Sequence, residues 1–155
     1  MIDKLKYYIK EILSFIVVLT ILANAISYHK SIDLNKNKLD IKDISLNGKP
    51  ILIHFWSTWC PTCKIEASNI QTISEKYNVL TIAVNSSDDN IKEYLKNNNL
   101  NFKVINDKNT FYANKFNITV YPTTLIYDKN KDLIFSDVGY TSTFGLWLRM
   151  WWSTL

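Results

Sequence analysis

The sequence contains very few of the side chains that bind structural metals. It has two cysteines, Cys60 and Cys63, and two histidines, His29 and His54, in 155 residues. A structural zinc site takes four such ligands, so these residues argue against one. A purely structural disulfide is also a weak explanation, because the loop that it would close is too short to constrain the unfolded chain much. The two cysteines therefore call for a chemical explanation.

Clustered positive charge is also missing. The net charge is +4, Arg149 is the single arginine, and the lysines are spread along the chain. This distribution lacks the basic patch typical of nucleic-acid binding, so we expect no nucleic-acid partner. The length leaves room for one globular domain and a short appendage.

The appendage is an apolar segment near the N-terminus. Residues 12–26 carry no charge and follow three lysines, Lys4, Lys6 and Lys10. This charge order predicts a cytoplasmic N-terminus at 1–11 and a transmembrane anchor at 12–28, with the rest of the chain outside. Because Ala23-Asn24-Ala25 fits a cleavage signature, a removable signal peptide is the alternative. The polar stretch 29–42 is predicted to be a linker that lifts the domain off the membrane.

Hydrophobic patterning predicts an α/β domain over residues 43–155. Strands are predicted at 51–55, 79–84, 102–105, 120–127 and 133–135. Helices are predicted at 60–76, after the capping segment 87–89, at 109–115, and after Thr141 or Ser142. The first two strands should pair in parallel across a βαβ unit, and the last two should form an antiparallel hairpin. The tryptophan-rich terminal helix is expected to cover one face of the sheet, and contact of its aromatic residues with the bilayer is the alternative.

The two cysteines lie where the first predicted strand turns into the first predicted helix of this domain. The unpaired N–H groups and the positive end of that helix would stabilise a thiolate on Cys60. The first thiol of such Cys-X-X-Cys motifs has its pKa lowered from about 8.5 to roughly 3.5–7.5. Pro61 suits the first helical turn, because its φ is already helical and it has no N–H to lose. Cys63, one turn on, can attack a mixed disulfide on Cys60 and release the partner.

Two segments carry a family resemblance. Residues 55–64, FWSTWCPTCK, followed by YPTT at 121–124, resemble the thioredoxin fold in its membrane-tethered, extracytoplasmic TlpA/ResA/DsbE branch. The resemblance implies a central mixed sheet flanked by helices, and the βα insertion of that branch would fill the long stretch between Cys63 and Pro122. Within the branch, segments 83–89, 104–107 and 138–151 most resemble the suppressor-of-copper-sensitivity D proteins.

The resemblance also implies that the bond between Tyr121 and Pro122 is cis and lies beside the cysteine pair. A cis proline leaves neighbouring backbone groups unpaired, so Tyr121 could bind an extended partner peptide by strand addition. From the residues alone, Pro122 could equally begin an edge strand. The predicted surface for partners consists of Trp59, Pro61, Tyr121, Pro122 and Thr123.

The sequence departs from the family pattern at two positions. His54 stands where thioredoxins carry a buried acid behind the second cysteine, so it is either a proton acceptor for Cys63 or a core histidine bonded to backbone. Ser86 stands where ResA-type proteins carry an acid in the insertion. Glu66, three residues past Cys63, could tune the thiols, but an isolated carboxylate on a helix is usually solvated.

These observations predict a thiol:disulfide oxidoreductase with Cys60 and Cys63 as its catalytic residues. No cofactor or metal is expected, because electrons pass by thiol–disulfide exchange. The expected partners are protein thiols and disulfides and a membrane redox partner, with the monomeric domain on the periplasmic side of the inner membrane. The resemblance suggests repair of copper-oxidised thiols or cytochrome c maturation.

The alternative is a metal-handling module that holds Cu(I) on the same two thiolates. Thioredoxin-like copper chaperones of the Sco family use a Cys-X-X-X-Cys spacing and a downstream histidine. In this chain the spacing is one residue shorter and no histidine follows Cys63.

Overall fold

The computed structural model describes residues 2–35, 38–41 and 47–155. A long N-terminal helix precedes an α/β domain built on one five-stranded sheet. The elements in chain order are α1 (Ile2–Ser31), β1 (Ile51–Trp56), α2 (Pro61–Ser74), β2 (Asn78–Val84), α3 (Asp88–Asn97), β3 (Lys103–Asp107), α4 (Phe111–Lys115), β4 (Thr123–Tyr127), β5 (Leu133–Val138) and α5 (Thr143–Trp152).

The strands lie in the order β3-β2-β1-β4-β5. β1 pairs in parallel with β2, and β2 pairs in parallel with β3. β4 runs antiparallel to β1, and β5 runs antiparallel to β4. The predicted βαβ unit and the C-terminal hairpin are therefore confirmed, and the mixed sheet is that of a thioredoxin-like fold. β4 begins only at Thr123, because the chain bends over the three residues before it.

Alternation along β1 divides the core between the two faces of the sheet. Ile51, Ile53 and Phe55 point to one face, while Leu52 and Trp56 point to the other, together with both cysteines. Helix α5 covers this second face with Leu146 and Met150, as predicted for the terminal helix. The cysteine-bearing helix α2 therefore sits on a closely packed surface.

The predicted insertion is present as α3 and β3. Ser87 caps α3 by accepting a hydrogen bond from the Asn90 N–H at 3.1 Å, as expected from the sequence. Ile91 of α3 and Phe102, just before β3, pack into the core that holds the cysteines. β3 forms one edge of the sheet.

The predicted linker at 29–42 is not a free tether over its described residues. Helix α1 runs on to Ser31, and Leu34, Leu39 and Ile41 are buried in the core on the face of the sheet opposite α2. The Leu39 N–H donates to the Lys131 carbonyl oxygen at 2.9 Å. Polar composition concealed this contact, because three apolar side chains without a regular period can still fill a sheet face. Residues 36–37 and 42–46 lie outside the described residues, and so does the predicted boundary at 42–43.

Helix α1 contains a segment, Lys6–Ser31, that is long and apolar enough to cross a membrane, with a mean hydropathy of 2.0. Its apolar side chains are exposed. Near its C-terminal end, the helix contacts the edge strand β5, where the Val138 N–H donates to Ser27 Oγ at 2.8 Å. The candidate span thus ends directly on the domain.

Candidate functional site

Cys60 and Cys63 form a disulfide at the start of α2. Cys60 is the N-cap residue, and its Sγ accepts a hydrogen bond from the Cys63 N–H at 3.2 Å. Pro61 occupies the first helical position, as predicted, and is exposed. In the disulfide form only 4% of Cys60 and 2% of Cys63 are exposed. The first turn of α2 therefore provides an N–H donor to the sulfur that would become a thiolate.

An exposed aromatic pair lies beside the disulfide. The ring of Trp59 meets the ring of Tyr121 edge to face, with centroids 5.9 Å apart, and Trp59 is 57% exposed. Trp59 Nε1 donates to the Asn85 carbonyl oxygen at 3.3 Å, which fixes the indole. Tyr121 also packs against the core cluster that includes both cysteines. The two rings form a surface that a partner reaching Cys60 would touch.

The peptide bond between Tyr121 and Pro122 is cis, as the resemblance implied. Among the described residues, neither the backbone N–H nor the backbone C=O of Tyr121 has a hydrogen-bond partner. Thr123, in contrast to Tyr121, is not available to a partner, because it is paired with Phe55 and Val138 in the sheet and is 1% exposed. Of the predicted partner surface, Trp59, Pro61 and Tyr121 are accessible, while Pro122 and Thr123 are buried supports.

Ser86 fixes the loop before the cysteines. Its Oγ lies 3.1 Å from Ser57 Oγ, and it accepts hydrogen bonds from the N–H and the hydroxyl of Thr58 at 3.3 and 3.2 Å. Ser86, which stands where the family resemblance implies an acid, therefore forms neutral hydrogen bonds with Ser57 and Thr58.

His54 is buried on β1, with Nδ1 2.9 Å from Thr124 Oγ1. Burial lowers the pKa of His54 to about 3, so the imidazole is neutral at physiological pH. A group with this pKa is too weak a base to hold a proton from a thiol. The environment of His54 thus matches a core histidine, although its partner is a side chain rather than backbone. Trp56 is likewise a core residue, 2% exposed and packed against Tyr94 and Phe102.

Glu66 differs from what its sequence context predicts. It is fully buried rather than solvated, and its Oε1 accepts a hydrogen bond from the Thr141 N–H at 3.2 Å. Burial raises the pKa of Glu66 to about 8; the Thr141 N–H opposes this shift and the nearby Asp137 adds to it. Since residues three apart on a helix are neighbours, this carboxyl group with a raised pKa lies one turn of α2 beyond Cys63, on the same buried side.

The signal for this burial was present in the sequence. Cys63, Glu66, Ala67, Ile70 and Ile73 recur at helical spacing, and all five are buried on one side of α2. Periodicity alone therefore places Glu66 on the core face.

A buried ion pair completes the polar groups beneath α2. Arg149 Nη2 donates a hydrogen bond to Oδ1 of Asp137 in β5 at 2.9 Å, and Arg149 Nε lies 2.9 Å from Asp137 Oδ2 as an ion pair. Burial raises the pKa of Asp137, while the Arg149 charge and hydrogen bond oppose that shift. Thr124 stands between His54 and Asp137 in adjacent strand registers. His54, Thr124 and Asp137 therefore lie side by side across strands β1, β4 and β5.

Among the described residues, no group of three or more His, Cys, Asp and Glu side chains is arranged to hold a metal ion. Once reduced, Cys60 and Cys63 would offer two thiolates, a donor set that suits Cu(I).

The family model described as Redoxin matches residues 23–144 of this chain. A thioredoxin-like protein of Haemophilus influenzae is 32% identical over 124 residues, which cover 78% of this chain and 72% of that protein. The thiol-disulfide oxidoreductase ResA of Bacillus cereus is 27% identical over 112 residues, which cover 69% of this chain and 64% of ResA. The chain thus spans less than two thirds of that relative.

Solved structures agree with the fold. The structure of a thiol:disulfide interchange protein of the thioredoxin family from Chlorobium tepidum has a TM-score of 0.60 at 25% identity, covering 71% of this chain and 83% of that one. The predicted ResA/DsbE-type, thioredoxin-like group of thiol:disulfide oxidoreductases is thus confirmed. The finer likeness to suppressor-of-copper-sensitivity D proteins stays a prediction.

Proposed function

The chain belongs to the redoxin family, and on that premise we propose that it is a membrane-anchored thiol:disulfide oxidoreductase that acts on proteins outside the cytoplasm. The observation that carries this proposal is the disulfide between Cys60 and Cys63, which caps α2 beside Trp59 and Tyr121. The disulfide thus lies at the start of α2, beside the Trp59 and Tyr121 rings, and Glu66 is buried one helical turn beyond Cys63.

In the oxidising direction, a partner thiolate attacks Cys60 Sγ. The bond between Cys60 and Cys63 breaks, and Cys63 leaves with the electron pair. Because the pKa of Glu66 is about 8, its carboxyl group is protonated at neutral pH and can supply the proton that the leaving sulfur takes up. The products of this step are a mixed disulfide on Cys60 and a thiol on Cys63.

A second thiolate of the partner then attacks the partner's own sulfur in the mixed disulfide. Cys60 leaves as a thiolate, stabilised by the Cys63 N–H and the start of α2. The partner has gained a disulfide, and the cysteine pair has gained two electrons. In the reducing direction, Cys60 attacks a partner disulfide and displaces one of its sulfurs. Cys63 then resolves the mixed disulfide after giving its proton to the deprotonated form of Glu66, which is the minority form at neutral pH.

The contact surface supports proteins as the substrates. The unpaired backbone groups of Tyr121 suit strand addition by an extended peptide, and the Trp59 and Tyr121 rings suit apolar side chains flanking a partner cysteine. We propose that no cofactor takes part and that a membrane redox partner resets the pair by the same exchange. Proteins oxidised under copper stress and cytochrome c precursors are the substrate classes that the family resemblance suggests.

Three features of α1 support an anchored, extracytoplasmic domain. The candidate span is long enough for a bilayer, and Lys4, Lys6 and Lys10 mark its cytoplasmic end. The helix continues without a break through residues 23–25, the alternative cleavage site, and Ser27 is bonded to β5. These features support retention of the segment as an anchor, and we propose that the anchored domain is a monomer.

The test is a trapping experiment with the full chain in membranes. Cys63→Ala should retain partners as mixed disulfides on Cys60, visible on non-reducing gels and lost on reduction, because the resolving thiol is gone. Cys60→Ala is the matched control and should trap far less. A Cu(I) carrier would trap no partner in either variant and would lose metal in both, which would contradict the proposal. A redox titration of the wild-type pair then gives the direction, with a potential near about −120 mV for an oxidant and near about −270 mV for a reductant.

A further inference from the structure

Helix α5 leaves a continuous aromatic stripe exposed. Leu146 and Met150 point into the core, while Phe144, Trp147 and Trp151 lie on another side of the helix and stack in sequence. The stacked rings are 6.0 and 6.4 Å apart, and the three side chains are 39–69% exposed. Leu148 and Trp152 widen this surface, which we call the α5 stripe. Contiguous exposed apolar surface of this kind marks an interaction site.

The α5 stripe carries no unpaired charge. Arg149 is the single charged residue of α5, and its guanidinium is held by Asp137. Indole rings combine a large apolar body with one N–H donor, and they prefer the boundary between lipid tails and headgroups. Three tryptophans in one helix, with no free charge among them, therefore suit a lipid interface better than a polar protein surface.

The contact between α1 and β5 brings the domain to that interface. Asn24, Ser27 and Tyr28 of α1 line one cleft together with β5 and Arg149 of α5. These three α1 residues lie inside the candidate span Lys6–Ser31, so no spacer separates the span from the sheet. When α1 crosses a bilayer, β5 lies at its surface because it contacts α1, and α5 is linked to β5 through the pair of Arg149 with Asp137.

We propose that the α5 stripe docks into the headgroup layer of the same bilayer that α1 crosses. This inference rests on the anchoring role of α1 proposed above. The domain is then held to the membrane at two places, the end of α1 and the side of α5. The fold, rather than a flexible linker, sets the distance of Cys60 from the membrane.

The experiment uses the full chain reconstituted into phosphatidylcholine–phosphatidylglycerol vesicles, with or without bromine on the upper acyl chain. Because α1 contains no tryptophan, quenching of tryptophan fluorescence by brominated lipid reports on the domain alone. We expect clear quenching in the wild type, similar quenching in Trp59→Phe, and at least threefold less in the combined variant Trp147→Phe, Trp151→Phe and Trp152→Phe. Phenylalanine keeps the apolar surface, and Leu146 and Met150 are unchanged, so the combined variant should fold.

Equal quenching in the wild type and the combined variant would overturn the proposal, and so would no quenching in a wild type that floats with the vesicles. Protection from aqueous acrylamide that grows with the protein-to-lipid ratio would assign the stripe to a second copy of the chain, which also overturns it. If the wild type does not float after carbonate extraction, anchoring itself fails and the docking proposal fails with it. Disulfide exchange with a soluble dithiol, measured on the same samples, reports separately on the redox function.

Discussion

Replacing Glu66 with Gln should stabilise the oxidised protein at neutral pH and slow its disulfide exchange. The pKa of Glu66 is raised from 4.5 to about 8 in the fold. Between these pH values the folded protein keeps a proton that the unfolded chain has released, so the free energy of unfolding falls as pH rises through this window. At pH 7 the loss amounts to about 3 kcal/mol, from roughly 2.5 pKa units at about 1.4 kcal/mol each.

Glutamine has the same size and carries no charge to desolvate. Its amide oxygen can accept the Thr141 N–H, while its amide nitrogen would lie where Glu66 Oε2 has no partner among the described residues. That unpaired donor costs about 1 kcal/mol, which leaves a net gain of about 2 kcal/mol at pH 7. For a domain of this size, the melting temperature should rise by roughly 8 °C.

The assay is thermal unfolding of the full-length oxidised protein in mild detergent at about pH 5, 7 and 9. The advantage of Glu66→Gln should be near zero at the lowest pH and largest at the highest, because only the wild type loses stability across this range. Glu75→Gln, an exposed carboxylate at the C-cap of the same helix, is the control and should change stability little. Parallel pH curves for the wild type and Glu66→Gln would refute the reasoning. The variant should also exchange disulfides at least about tenfold more slowly at pH 7, since the proton donor and acceptor of Cys63 is lost.

Four further substitutions test other parts of the structure. His54→Leu should leave the rate of mixed-disulfide release within about twofold from pH 6 to 8, because the imidazole is already neutral; a larger drop would restore its role as a base. Trp59→Ala should slow exchange with protein partners about tenfold but leave exchange with glutathione unchanged, and equal losses would contradict a contact role. Arg149→Met should cost about 3 kcal/mol in urea unfolding by leaving the buried Asp137 uncompensated, and a loss below about 1 kcal/mol would contradict the buried pair. Leu39→Ala should cost about 2 kcal/mol or more, because Leu39 and Ile41 belong to the core, and an unchanged midpoint would mean a free tether.

The elements of the fold could be predicted because their signals are local. Strand β1 and helix α2 follow from an apolar run and a helical period in adjacent residues, and Pro61 marks the first turn. The positions of the cysteines follow in turn, since a strand-to-helix junction puts both sulfurs at the helix start. Sequence spacing was sufficient for these features.

The linker and the burial of Glu66 were misjudged because they depend on distant partners. Leu34, Leu39 and Ile41 look like isolated apolar residues in a polar stretch until a sheet face is placed beside them. His54 and Glu66 both lie near the second cysteine in sequence. The Thr124 hydroxyl beside His54 and the Thr141 N–H beside Glu66 come from the other end of the chain.

The sequence by itself determined the redox chemistry of this protein, because two cysteines at a helix start need only local geometry to become a reactive pair. It also determined an apolar N-terminal segment long enough for a membrane. Only the tertiary structure decided that the Glu66 carboxyl group is buried and which side of α5 stays exposed. Both depend on how completely water is excluded by elements far apart in the chain, because burial is what raises the pKa of the Glu66 carboxyl group.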